Sequence, residues 1–235
     1  MTSTEILEKL QLLGSEQTKK ILMNHGAKEP VFGVKIEDLK KIYKTERGNN
    51  SLAKQLFGTG NYDAMYLAGL IADGAKMTTE EIRGWADTAY GSGIGEYIVP
   101  WVSSENKEGY ALARRWIDSE VDNIAATGWA TFSNILSVWP DEKLDKQDLK
   151  LLLARVRRDI HHSPNRVRYT MNGFVIAVGC YVPDLKEESL SIARQIGQVV
   201  VDMNGTACKV PAAADYIVKV EIMGRTGQKR KTAKC

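Results

Sequence analysis

Apolar residues recur at three- and four-residue intervals along most of the chain, the period of a single buried helix face. Leu7, Leu10 and Leu13 make one such stripe, Leu39, Ile42 and Tyr43 a second, and Leu67, Leu70 and Ile71 another. Leu52 and Leu56 share a face, as do Leu149, Leu152, Leu153 and Val156, then Met171, Phe174, Val175 and Val178. Start signals accompany these stripes. Thr2 with Glu5, and Thr78 with Glu81, have the spacing of a capping box, in which hydroxyl and carboxylate satisfy orphan backbone donors. Ser163 followed by Pro164 predicts a further start, with the hydroxyl at the N-cap and proline at the first helical position.

Helices of about 10–18 residues with short connections are therefore expected from end to end. Val199-Val200-Val201, between Gly197 and Gly205, reads as a short strand or a linker. No βαβ alternation is present, so a nucleotide-binding parallel sheet is not expected. Helix pairs begin near Asn50, Met77, Lys107, Leu144 and Glu187, at spacings from about 27 to about 43 residues, the range of helical repeats. Pattern alone leaves an α-solenoid and a compact helical bundle both open. With no Pro/Gly/Ser-rich interruption, one continuous domain over residues 1–235 is expected, ending in a basic tail over about 224–235.

The positive charge is unevenly placed. Lys150, Arg155, Arg157, Arg158, Arg166 and Arg168 fall within residues 150–169 against Asp159 alone. Residues 206–235 hold seven more cations against Asp215 and Glu221. Each stretch carries +5, so a total of +3 leaves −7 on the rest. A basic C-terminal third on a mildly acidic body points to a polyanion, most plausibly nucleic acid, because phosphate contacts need clustered Lys and Arg. The alternative is a solvated basic face without a partner.

Composition excludes other classes. With 43% hydrophobic and 26% charged residues the chain is ordinary for a globular protein, and no apolar run approaches a membrane span. The stretch Met1 to Leu13 is amphipathic with early acids and is not a signal peptide. Cys180, Cys208 and Cys235 are odd in number and widely spaced, so reduced thiols in a cytoplasm are expected, with Cys180 a core residue. His25, His161 and His162 make no metal spacing with them, so neither metal nor cofactor is expected.

Several stretches resemble the bacterial DNA alkylation repair proteins. They are Gly33-Val34-Lys35-Ile36; Gly60-Asn61-Tyr62-Asp63-Ala64 running into Leu67-Ala68-Gly69-Leu70-Ile71-Ala72-Asp73; and Ala207-Cys208-Lys209-Val210-Pro211 with Gly227-Gln228-Lys229-Arg230-Lys231. The resemblance implies an all-α fold: a right-handed α-solenoid of HEAT-like helical repeats whose concave basic face cradles double-stranded DNA. It also implies a monomer without a membrane partner, associated with the bacterial nucleoid when bound to DNA. Catalytic relatives place a tryptophan and an aspartate four residues apart on one helix, an arginine on the next repeat and a second tryptophan later. Aromatic faces hold a cationic alkylpurine, and the carboxylate supports the oxocarbenium-like sugar as the N-glycosidic bond breaks.

This chain departs from that pattern. Gly91-Ser92-Gly93-Ile94-Gly95-Glu96 places Ser92 at the tryptophan and Glu96 at the aspartate. Ala125-Ala126-Thr127-Gly128 stands where the arginine is expected, and Gly173-Phe174 where the later tryptophan is expected. Three glycines in the first segment also argue against a rigid helix, each costing roughly 1 kcal/mol relative to alanine.

The candidate catalytic residue is Glu96, with an exposed helix acid as the alternative. The candidate DNA contacts are Arg114, Arg115, Arg155, Arg157, Arg158, Arg166 and Arg168, with Lys229, Arg230 and Lys231 as a flexible electrostatic arm or a soluble end. Trp101 and Phe174 are the candidates for stacking on a base, whereas Trp85 and Trp116 read as core. Three functions follow: excision of alkylated purines from duplex DNA, non-catalytic binding of damaged or unusual DNA, or a helical scaffold for an acidic protein.

Overall fold

The structure, a computed structural model, describes residues 1–234; Cys235 lies outside the described residues. Among the described residues every regular element is helical and no strand is present. Internal contacts gather into two compact units. The first is Met1–Glu108 with Asn204–Thr206 and Lys234; the second is Gly109–Met203 with Ala207–Ala233.

The first unit contains α1 (Ser3–Leu13), α2 (Glu16–Asn24), α3 (Ile36–Glu46), α4 (Asn50–Gly58), α5 (Tyr62–Ile71), α6 (Thr79–Thr88), a single turn α7 (Gly91–Gly93) and α8 (Val99–Glu105). Both expected capping boxes form, at Thr2 with Glu5 and at Thr78 with Glu81. Asn49 and Asn61 cap α4 and α5 in the same way, their side-chain oxygens accepting from Leu52 and Ala64 N–H groups. Helix α5 is the centre of this unit: every residue but Tyr66 is buried. Trp85 of α6 stacks on Phe57 of α4 with ring centroids 4.0 Å apart, in the core role read from the sequence.

Asp63, inside α5, is buried and organises the loop that precedes α3. Its carboxylate accepts from the backbone N–H groups of Phe32 (2.6 Å), Gly33 (3.1 Å) and Val34 (2.8 Å). Gly33 has φ +80°, and a Cβ there would lie 2.4 Å from the Lys19 nitrogen, so only glycine fits.

The glycine-rich segment, expected not to form a rigid helix, is a single α turn that runs into a π-helical turn. A Cβ on Gly93 would fall 2.0 Å from the Tyr62 hydroxyl, and one on Gly91 2.8 Å from the Gly26 carbonyl. The glycines serve close approach to neighbouring elements, and that packing outweighs their low propensity. A π-helical turn, Ile94–Ile98, then leads into α8, with the Val99 N–H bonded to the Ile94 carbonyl five residues back. Pro100 has no N–H to return to the Glu96 carbonyl, which accounts for the widened ladder at this point.

The second unit contains α9 (Gly109–Trp116), α10 (Asp122–Val138), α11 (Lys146–Asp159), α12 (Asn165–Tyr181), α13 (Lys186–Ile196) and α14 (Ala213–Ile222). Helix α12 packs on α10, α13 and α14, and α9 packs on α10. Trp129 and Phe132 of α10 meet Phe174 of α12 at centroid distances of 5.1 and 6.0 Å, forming the aromatic heart of the core. Cys180 is buried in it, as expected, and its burial pushes the thiol up to about 11.

Helices α4, α6, α9, α11 and α13 begin within two residues of the pair starts read from the sequence. One expectation changes, and one open alternative is decided. Ser163 does not cap α12: its hydroxyl donates to the Asp159 carbonyl and closes α11, while Pro164 stands at the N-cap without a side-chain bond. Val199-Val200-Val201 is an irregular connection and not a strand, with Val199 buried and Val200 exposed.

Candidate nucleic-acid interface

All ten basic candidates lie in the second unit, and the structure sorts them by what they hold. Arg155, on α11, is structural. It donates to Asp118 Oδ1 (2.5 Å) and the Ile117 carbonyl (3.0 Å), and its guanidinium sits 5.7 Å from the Trp129 ring centroid. Arg114 pairs with Asp148 at 3.4 Å, a carboxylate also held by the Tyr110 hydroxyl. Arg115 is exposed.

Lys229 overturns the picture of a flexible arm. Its ammonium donates to the carbonyls of Leu136 (2.8 Å) and Tyr181 (2.9 Å) and pairs with Asp141 at 2.8 Å. Leu136 and Tyr181 belong to the last turns of α10 and α12, where carbonyls lack intrahelical donors and the helix dipole favours a cation. Backbone bonds from Gly227 N–H to Cys180 O (2.8 Å) and Arg230 N–H to Ser137 O (2.7 Å) fasten the same segment. Arg230 and Lys231 keep exposed side chains.

The remaining cations gather where α11 ends and α12 begins, joined by the 3-10 turn Ile160–His162. Arg157 and Arg158 occupy the last turn of α11; both are exposed. Arg158 grips Asp159 through two bonds of 2.6 and 2.8 Å, which holds that carboxyl below its usual range. Arg157 has no ion-pair partner among the described residues. Arg166 and Arg168 stand in the first turn of α12, Arg166 lying 4.4 Å over the Tyr169 ring. The Nε of Arg168 is buried without a hydrogen-bond partner.

Two cations at a helix start oppose the macrodipole, a cost of about 0.3–1 kcal/mol each, so their placement does not serve the stability of α12. The α12 N-terminus also has no side-chain cap, and backbone N–H groups at a helix start are donors of the kind that suit an anion.

The catalytic and stacking candidates fare differently. Glu96 is buried, 6% exposed, on the π-helical turn, and is not the exposed acid of the alternative reading. Ser92 turns its hydroxyl to the His25 carbonyl at 3.1 Å. Trp101 is 1% exposed, packed edge-on against Tyr66 and Tyr97, and Phe174 is fully buried. Neither ring presents a face to a base, so both candidates are corrected to core residues: their large aromatic surface is buried where helices pack. Trp116 and Trp129 are likewise core, and Trp139 is half-buried.

The sequence reading counted Lys219 and Arg225 only as charge and passed over Tyr181 and Tyr216. The structure brings these four to one cavity of the second unit, between α10, α12, α14 and the segment after α14. Their only sequence signal was the +5 balance of residues 206–235, which does not say which cations converge.

No helix of the described residues is long and apolar enough to cross a membrane. A solved structure of 35% sequence identity covers 100% of both chains with a TM-score of 0.91; it represents a family of proteins related to the HEAT-like repeat DNA glycosylases with affinity for branched DNA structures. An uncharacterised protein of Listeria innocua is 35% identical over 225 residues, 93% of this chain and 97% of that protein. An uncharacterised protein of Listeria monocytogenes matches to the same extent. The all-helical architecture is thus the HEAT-like repeat fold. Residues 6–195 match the profile of the DNA alkylation repair enzymes, and the chain belongs to that family.

Proposed function

We propose that this protein binds branched DNA, without excising bases, through the basic corner where α11 meets α12. The observation that carries the reading is the pair Arg166 and Arg168 in the first turn of α12, one with a partnerless buried Nε, beside the exposed Arg157. Arginines at a helix start, which the helix dipole disfavours, are suited to phosphate oxygens, which accept their forked donors. The solved relative described as having affinity for branched DNA supports the choice of substrate. The positions of the family's excision machinery, occupied here by Ser92, Glu96, the segment Ala125-Ala126-Thr127-Gly128 and Gly173-Phe174, support the absence of chemistry.

A second reading, excision of cationic alkylpurines, rests on Glu96: a buried carboxylate on a π-helical turn, a feature frequent at functional sites. One experiment separates them. Affinity for a four-way junction and for a linear duplex of equal length is measured over a salt series, alongside base release from methylated duplex DNA. Tighter, salt-sensitive junction binding with no base release supports the first reading; release that vanishes in Glu96→Gln establishes the second. Absence of salt-dependent DNA binding overturns both.

A further inference from the structure

The cavity between α10, α12 and α14 has a volume of about 590 Å³, within the usual range of small-ligand sites, roughly 300–1,000 Å³. Its chemistry is divided in a specific way. Lys219, Arg225 and Arg230 line it, none of them has an ion-pair partner among the described residues, and no carboxylate joins the lining. Several other cations of this unit are neutralised, as with Lys186 and Glu221, Lys146 and Asp184, or Lys229 and Asp141. Three uncompensated cations around one concavity focus a positive potential there.

Part of the wall is aromatic and aliphatic. Tyr181 and Tyr216 contribute phenol rings, and Ile176, Val220 and Met223 contribute aliphatic surface. Gly173 leaves the space open at the α12 side: a Cβ there would meet nothing nearer than Ser133 Oγ at 4.0 Å. Asn134 spends its amide N–H on the Ala130 carbonyl, which leaves its side-chain oxygen as an acceptor in the lining. The backbone tie from Arg230 N–H to the Ser137 carbonyl fixes the main chain of the segment that borders the cavity.

Aromatic walls with unpaired cations and no acid match a planar heteroaromatic ring carrying phosphate. We propose that this cavity binds a single unpaired nucleotide, its base against Tyr181 and Tyr216 and its phosphate at Lys219, Arg225 and Arg230. The inference rests on the DNA-binding reading for the source of that nucleotide, an unpaired position of branched DNA, although a free mononucleotide has the same chemistry. Position on α12 suits the first source. Gly173 lies seven residues beyond Arg166 on the same helix face, about 10.5 Å along the axis, so a strand gripped at the α12 start reaches the cavity within a few nucleotides.

The test uses the full chain and three probes: a duplex with one unpaired 2-aminopurine, its fully paired counterpart, and free deoxyadenosine monophosphate. Tyr216→Ala removes an exposed wall, and Gly173→Leu fills the space; circular dichroism checks that each folds. The expected result is altered 2-aminopurine fluorescence on binding wild type, with affinity for the unpaired probe about tenfold weaker in either variant and paired-duplex affinity unchanged. A folded Tyr216→Ala protein that binds both duplexes as wild type does overturns the inference. If wild type binds neither duplex, the DNA-binding reading fails separately. Free mononucleotide binding that Tyr216→Ala weakens would then sustain the cavity as a nucleotide site, and its absence would overturn it.

Discussion

The Lys229 ammonium lies 2.9 Å from the carbonyl oxygen of Tyr181, at the last turn of α12, while reaching the last turn of α10 through Leu136. One cation thus satisfies the ends of the two longest helices of the second unit. Lys229→Ala is expected to lower unfolding stability by roughly 1–3 kcal/mol, the cost of leaving partly buried acceptors unmet, as read by chemical denaturation. Lys229→Glu should cost more. If Lys229→Ala unfolds at the wild-type midpoint, the tie is without energetic consequence.

Arg157 and Arg158 differ from Arg155 in the same way that surface contacts differ from struts. Arg157→Glu with Arg158→Glu is expected to weaken DNA binding at least tenfold and to reduce the slope of log affinity against log salt by about one to two, with the melting temperature nearly unchanged. Arg155→Glu, which breaks the bonds to Asp118 and the Ile117 carbonyl, should lower the melting temperature as well. Equal effects of the two variants on binding and on melting would remove the distinction.

Asp63 ties α5 to the loop of Phe32, Gly33 and Val34 through three backbone donors. Asp63→Ala strands those donors in a buried place, and a loss of roughly 3 kcal/mol or more is expected in denaturant titration. Retained stability would mean that the loop finds other acceptors.

Cys180 gives a pH-dependent prediction. Its thiol is raised from 9.0 to about 11 by burial, so the folded state holds the proton that the unfolded chain releases first. Its contribution is fully present below pH 9 and is lost as pH rises through about 11. Cys180→Ala should flatten the fall of stability over that window by one proton's worth. At pH 8, alkylation followed by mass spectrometry should modify the exposed Cys208 and spare Cys180 until the protein unfolds.

Much of the architecture is a property of local sequence. The capping boxes at Thr2 and Thr78, the pair starts from near Asn50 to near Glu187, and the core roles of Trp85, Trp116 and Cys180 follow from helical period and end chemistry alone. Those signals need only residues within a few positions of one another. Local sequence marked Trp101 beside its glycine-rich turn, and Phe174 by its family-like position, without saying that other helices cover their rings, and it gave no reason to bury Glu96. It counted charges but could not tell Arg155, spent on Asp118, from Arg157, which has no partner among the described residues. Lys229 meets Leu136 across 93 residues of sequence, and Ser163 turns back to Asp159 instead of forward into α12. An orphan carbonyl at a helix end accepts from whichever donor the packed chain brings near it. Helix positions were therefore determined by the sequence read locally, whereas the partner of each cation, and the cavity that Lys219, Arg225 and Arg230 share, were decided by packing between elements far apart in the chain.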